Sequence, residues 1–291
     1  MSKTSACGLL GLSRQVYYRR KRSIIKKQER ATQVVELVQN IRSTMPRMGT
    51  RKLYYLLYDS LQEIGVGRDK LFSILKANHM LVIPKRNYRI TTNSHHRFRK
   101  HKNLVADLPL THPEQVWVSD ITYIGGQSRN CYLALVTDAY SKKIMGYDLC
   151  GSLATEGSLR ALRMAIKQRK YNHRTIHHSD RGLQYCSNEY QATLKKKNII
   201  PSMTESYDPY ANAIAERVNG ILKQEFLLEE YGVDMKTMKS LVKDAVRIYN
   251  TQRPHWSCYM KTPEQMHAQT QVKIRSYKKA NSSKDNLAAV K

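Results

Sequence analysis

Five short runs rich in Val, Ile and aromatic residues constrain this chain most: Val116–Ile124, Tyr132–Ala139, Ile144–Leu149, Thr175–His178 and Ile199–Met203. Their composition and the turn residues between them read as strands. Gly125, Gly126 and Asn130 supply the first turn, and Ser141 with Lys142 the second. The first three runs follow one another with only turn residues between them. After them strands alternate with helical patterns. Thr155–Arg169 turns Leu159, Leu162 and Ile166 inward, and Asn188–Lys196, Ala211–Glu229 and Met235–Asn250 follow as helices. The predicted order is βββαβαβα, an α/β domain with a mixed five-stranded sheet and flanking helices.

Three carboxylates stand out against that frame. Asp120 lies in WVSDITYI, inside the first strand, where an aspartate is disfavoured unless it is paired or bound. Asp180 in HHSDRGLQY follows the fourth strand, and Glu216 in ANAIAERVNGILKQEF lies on a helix. Fifty-nine residues separate the two aspartates and 35 separate Asp180 from Glu216. Acids at strand ends plus one from a helix can gather oxygen ligands for a hard divalent cation. Two such ions can clamp both oxygens of an in-line phosphoryl displacement. Lys223 is seven residues after Glu216, about two helical turns, so the two share a face. Asn212 and Asn219 extend that face as candidate DNA contacts. Each feature has a bland reading: a solvent-side strand aspartate, an ordinary DRG turn, an exposed helical glutamate. Asp138, Asp148, Glu156 and Glu225 compete as ligands and are assigned structural roles, Asp138 being the best substitute or outer-shell residue. His178 is an outer-shell candidate.

Charge is the second large signal. Fifty Lys+Arg stand against 23 Asp+Glu, a net +27. Residues 1–105 hold 23 of the basic and 5 of the acidic groups, a surplus of 18, and leave 9 for the remainder. Such a surplus calls for an anionic partner, and nucleic acid is the usual one. Residues 1–83 read as a helical, helix-turn-helix-like DNA-binding region. Ser13 caps an Arg-rich helix ending near Arg22, a separate helix spans 28–44, and Thr50 caps the next, with Leu71, Ile74 and Leu75 marking another. Arg51, Lys52, Arg68 and Lys70 at helix starts oppose the macrodipole, which a phosphate partner explains better than helix stability does. Residues 84–112 are a basic linker whose Tyr88 and Phe98 suit a nucleic-acid groove, 113–270 the catalytic domain and 271–291 a basic tail. No apolar run approaches a membrane span, and the N-terminus lacks a signal-peptide pattern. The five cysteines are scattered without a CxxC pair, so no zinc finger or disulfide framework is suggested. A reducing cytoplasm is the simplest setting.

The words WVSDITYI, HHSDRGLQY, SMTESYDPYANAIAERVNGILKQEF and YNTQRPHWSCYMKTPEQM together resemble a DDE transposase of the insertion sequence three family (its second-frame product), within the retroviral-integrase superfamily. The resemblance covers roughly residues 105–270, and the N-terminal third more loosely. It implies a ribonuclease-H-like catalytic domain preceded by helical DNA-binding regions. It implies Asp120, Asp180 and Glu216 as the catalytic, metal-binding triad, with two Mg²⁺ ions for which Mn²⁺ can substitute. It gives Lys223 a role at the DNA end. It implies cleavage and strand transfer at element ends and into target DNA, a homo-oligomer on DNA, and joint action with, or fusion to, the product of an upstream frame. Two other readings stand beside it. A ribonuclease-H-like nuclease would cut without joining, which a joining assay separates. A non-catalytic regulator of transposition would bind DNA and do no chemistry.

Overall fold

The computed structural model describes residues 3–83, 101–106, 108–125, 131–204 and 213–270. The N-terminal part is helical: α1 (Lys3–Leu9), α2 (Arg14–Thr44), α3 (Thr50–Leu56), α4 (Tyr58–Ile64) and α5 (Arg68–Ala77). Ser13 caps α2 by accepting from the Val16 N–H. The expected break between an Arg-rich helix and a second one at 28–44 is absent, and α2 runs unbroken for 31 residues. The physical reason is that no Gly or Pro lies between Arg22 and Gln28, so nothing stops propagation. Gly49, not Thr50, is the N-cap of α3, and Thr50 is its buried first residue. The left-handed Gly65 closes α4 (φ 71°).

The catalytic part holds β1 (Val116–Ile124), β2 (Cys131–Asp138), β3 (Ile144–Cys150), α6 (Thr155–Gln168), β4 (Thr175–Ser179), α7 (Leu183–Cys186), α8 (Asn188–Lys196), β5 (Ile199–Met203), α9 (Ala213–Gln224), α10 (Met235–Thr251) and α11 (Pro263–His267). The sheet order is β3-β2-β1-β4-β5. β1 pairs antiparallel with β2, and β2 with β3, whereas β1–β4 and β4–β5 are parallel. Each parallel pair needs a crossover, which α6 and then α7–α8 provide. This is the ribonuclease-H-like arrangement, a mixed five-stranded sheet with flanking helices and a helical region before it.

Alternation along the strands sorts the core into two faces. Ala134 and Val136 of β2 join Trp117, Leu159, Leu162, Tyr185 and Tyr190 on the α6–α8 side. Leu133 and Leu135 face the other way, toward Val218, Leu222, Val242 and Tyr249 of α9 and α10. That second core is continuous with Val34, Val38, Leu53, Leu61 and Leu71 of the N-terminal helices. α6 lies almost on β3: a Cβ at Gly146 would stand 2.0 Å from the Ala161 carbonyl oxygen, so only glycine fits there. Residues 102–104 run beside the edge strand β5, where the Leu104 N–H donates to Ser202 Oγ (2.9 Å). Among the described residues no helix is long and apolar enough to cross a membrane.

Candidate active site

Strand parity places the first acid. Val116 and Val118 pack with Ala215 of α9, while Trp117 packs on the opposite face. Asp120 has the parity of Val116 and Val118, so it turns toward α9. The last paired residues of β1 and β4 are Ser119 and Ser179, in parallel register. The next residue in each segment is an aspartate, Asp120 within β1 and Asp180 just past β4, so the two acids stand side by side where the β1–β4 pairing ends.

The chain holds these groups in place. Asp120 Oδ1 accepts from the Ile121 N–H at 2.9 Å, and Oδ2 accepts from the Asn219 side-chain amide at 2.7 Å. Asp180 Oδ1 accepts from the Gly182 N–H at 3.0 Å. A Cβ on Gly182 would come within 3.1 Å of that same oxygen, so glycine lets the turn close over the carboxylate. Glu216 lies in the first turn of α9, and its side chain is exposed. Burial pushes the Asp120 carboxyl up to about 7, and the charges of Asp180 and Glu216 push it the same way. Partial burial also raises Glu216. Three acids thus share one field, and ionising the innermost is resisted. As they stand, no three acidic, imidazole or thiol groups among the described residues are drawn closely enough together to hold an ion.

Several expected contacts lie elsewhere. Asn219 is buried (4 % exposed) with its amide on Asp120, so it faces the carboxylate instead of forming an open polar face. A side chain three residues beyond Glu216 can point inward because α9 crosses directly over β1. Asn212 lies outside the described residues, as do Tyr88 and Phe98. Lys223 is half-buried on the last turn of α9. Lys52 is not free at a helix start: it pairs with Glu225 at 3.0 Å. Arg68 pairs with the adjacent Asp69, and Arg51 and Lys70 are exposed.

The competing acids have structural partners. Asp138, paired across from Trp117, accepts from the Glu114 and Ser141 N–H groups at 2.8 and 2.9 Å. It therefore braces the start of β1, three residues before Asp120, and not the site as its outer-shell reading would have it. Asp148 is bound by the Arg160 guanidinium, Glu156 is exposed, and Glu225 is bound by Arg253 and Lys52. His178 Nδ1 lies 2.9 Å from Ser202 Oγ in the core between β4 and β5. His177, on the other face, contacts Ser119 Oγ (2.7 Å) and the Tyr190 hydroxyl (2.9 Å), and burial lowers its imidazole to about 3. Neutral at working pH, it braces Ser119, the residue before Asp120. Tyr185 went unremarked in the sequence: it is buried, and after burial itself the charges of Asp120 and Asp180 raise its hydroxyl most. The signal was its place five residues after Asp180, within HHSDRGLQY.

The sheet order, with Asp120 and Asp180 side by side where the β1–β4 pairing ends and the charge of Glu216 acting on Asp120, defines the class, a ribonuclease-H-like core. Two models, both described as integrase core domain, match residues 111–209 and 197–263. A Shigella sonnei relative, the insertion element IS600 uncharacterized 31 kDa protein, is 34% identical over 254 residues, covering 86% of this chain and 92% of its own length. Transposase InsF for insertion sequence IS3A of Escherichia coli (strain K12) is 35% identical over 163 residues. That match takes in 56% of this chain and 57% of InsF, so the aligned part spans a little over half of that relative. Among solved structures, the simian T-cell lymphotropic virus intasome in complex with PP2A regulatory subunit B56 gamma matches at TM-score 0.48 and 20% identity, covering 81% of each chain. The HTLV-2 integrase catalytic core domain in complex with magnesium matches at TM-score 0.43 and 19% identity, over 54% of this chain and 97% of that one. The chain belongs to the DDE transposases of the insertion sequence three family, within the retroviral-integrase superfamily.

Proposed function

We propose that this chain cleaves DNA at the ends of an insertion sequence and joins the freed 3′-hydroxyl to a second phosphodiester, with Asp120, Asp180 and Glu216 as its catalytic carboxylates. The observation that carries this reading is that Asp120 and Asp180 follow the last paired residues of the parallel β1–β4 ladder, with Asn219 of α9 bonded to Asp120. Integrase-core proteins use a divalent metal, and the donor set here fits one. Three carboxylates are hard oxygen ligands, and a cation among them would relieve the mutual repulsion that resists ionisation of Asp120. In our reading the ions are two Mg²⁺, with Mn²⁺ as a substitute, held by Asp120, Asp180 and Glu216. Bound there, they would polarise the scissile phosphate and lower the pKa of the attacking hydroxyl.

The remaining roles fall to the chain itself. Asn219 orients the Asp120 carboxylate by donating to Oδ2, which leaves its other lone pairs directed outward. Gly182 does the same for Asp180 through its N–H. Lys223 carries three donors and no acceptor, so it meets phosphate and not metal. It lies about 10 Å along α9 from Glu216, within reach of the same strand. The basic surplus of the first 105 residues, including the exposed Arg51 and Lys70, binds duplex DNA at element ends and target. The protein acts as a homo-oligomer on DNA in the bacterial cytoplasm at the nucleoid, together with the product of an upstream frame. Its working division is a helical DNA-binding region at 1–83, a linker at 84–112, a catalytic region at 113–270 and a tail at 271–291.

The test is a joining assay on duplexes carrying element ends. Alanine at Asp120, Asp180 or Glu216 should each reduce cleavage and joining to background, with DNA affinity nearly intact. Substantial Mg²⁺-dependent joining by any one of them would remove that residue from the site.

A further inference from the structure

At the end of α9 away from Glu216, a half-buried ion cluster ties three parts of the chain together. Glu225 directly follows the helix, and its N–H still bonds the Ile221 carbonyl (2.8 Å). Arg253, just beyond α10 and 1% exposed, grips the Glu225 carboxylate with both arms of its guanidinium, Nε to Oε2 and Nη2 to Oε1, each at 2.8 Å. The same guanidinium carbon lies 5.6 Å from the centre of the Tyr249 ring. From the N-terminal helices, Lys52 Nζ donates to both Glu225 oxygens at 3.0 and 3.3 Å, across 173 residues of sequence. The Arg47 N–H takes the Glu225 backbone carbonyl at 3.0 Å. One residue therefore has its carboxylate and its carbonyl both bound to the N-terminal region, while α10 supports it from the side.

We propose that Glu225, Arg253 and Lys52 form a positioning cluster that fixes the placement of α9, and hence of Glu216 and Lys223, and makes that placement depend on how the N-terminal helices are seated. The proposal rests on reading Glu216 as a member of the triad. A helix is pinned in translation and rotation by two attachments, and α9 has two of them. Asn219 holds its middle to Asp120, and Glu225 holds its far end. Glu216 lies nine residues before Glu225, about 14 Å along the axis. A shift at the cluster is carried to the carboxylate because the intervening Val218, Ile221 and Leu222 are packed and buried. The cluster also has unequal grips. A bidentate, buried Arg–carboxylate pair is geometrically specific. Lys52 is a single ammonium on a flexible stem, placed beside Arg253 of like charge. Lys52 is therefore the member that can let go while Glu225 stays satisfied, and it belongs to the region assigned to DNA. A DNA phosphate competing for Lys52, or a movement of α3, would reach the active-site helix through this contact.

The experiment uses the full chain with a duplex carrying an element end, under single-turnover conditions at saturating DNA. Hydrogen exchange of the α9 amides is followed in parallel. Lys52→Met keeps the stem and removes the charge, leaving the Arg253 grip on Glu225. It should raise exchange at residues 213–224 and lower the joining rate about 3- to 10-fold, with DNA affinity changed less than about 3-fold. Glu225→Gln should lower the rate further, and Arg253→Lys should restore little, because one ammonium cannot replace the fork. Should Glu225→Gln fail to fold, Lys52→Met alone decides. Unchanged α9 exchange and unchanged rate in Lys52→Met would overturn the proposal, and so would a loss explained entirely by weaker DNA binding. The exchange readout needs no joining activity, so an inactive wild-type chain would count against the functional reading and leave the coupling measurable.

Discussion

Asp138 and Asp120 occupy neighbouring strands of one sheet and meet opposite circumstances. Around Asp138, at the start of β1, the fold supplies a partner for each oxygen: the Glu114 N–H on one, the Ser141 N–H and hydroxyl on the other. Glu114 beside it accepts from the Lys170 and Tyr171 N–H groups and meets His267 at 3.3 Å. Glu225 is likewise matched by Arg253 and Lys52. Around Asp120, three residues further along β1, the chain gives one backbone N–H and one neutral amide, then adds two further acids to the same field. Matched acids hold elements together. Acids crowded with other acids are costly to the apo fold, and such a cost persists where a ligand offsets it. The contrast separates a structural carboxylate from a functional one better than burial does.

The sharpest way to break this contrast is to remove charge and keep shape at both positions. Asp120→Asn should abolish joining while leaving thermal stability without metal unchanged or raised. An active Asp120→Asn enzyme would erase the distinction. Acid is the next probe. Glu225 would be raised by burial alone, but the hydrogen bonds and charge of Arg253, then those of Lys52, take it down to about 2. Lys52 is itself lowered to about 8 by burial and by Arg253, so Arg253 does most of the holding. A carboxyl with a depressed folded pKa contributes stability above its unfolded value of about 4.5 and loses it as pH falls toward 2. The contribution is on the order of 3 kcal/mol. Melting of wild type and Glu225→Gln should therefore converge across that window, and parallel curves would show that the cluster contributes nothing to the acid limb. Asp138→Asn comes third. It sets an amide donor against the Ser141 N–H, which should cost about 1–3 kcal/mol. Joining by the folded protein should persist at low temperature, and selective loss of joining without loss of stability would move Asp138 into the site. Lys223→Ala should have the smallest effect. It should weaken DNA binding and reduce the slope of log K against log salt by about 0.9, with Lys223→Arg partly restoring it. An unchanged slope would detach Lys223 from phosphate.

Much of the catalytic half was legible because its signals are local. Val116–Ile124, Asn188–Lys196 and Ile199–Met203 have the bounds their composition predicted, and the other strands differ by a residue or two. The order of elements carried the sheet topology with it. Asp120 could be singled out because an aspartate inside a strand conflicts with local preference, whereas Asp180 and Glu216 rested on the motif words and their spacing. The positions of Asn219 and Lys52 were not legible. Each pairs with a carboxylate far away in sequence, 99 and 173 residues, and no local pattern distinguishes a solvated polar side chain from one with such a partner. The continuity of α2 was missed for a different reason. An Arg-rich helix ending near Arg22 and a separate one over 28–44 are in fact one helix, because no residue between them stops propagation.

The central claim, that Asp120, Asp180 and Glu216 form one metal-compensated site, is tested most directly by anomalous diffraction from crystals of the full chain with an element-end duplex and Mn²⁺. The account predicts Mn²⁺ peaks in contact with Asp120 and Asp180, with Glu216 turned inward to the same ions and Asn219 still on Asp120. Peaks only at other carboxylates, or Glu216 directed away from an ion bound at the two aspartates, would contradict it.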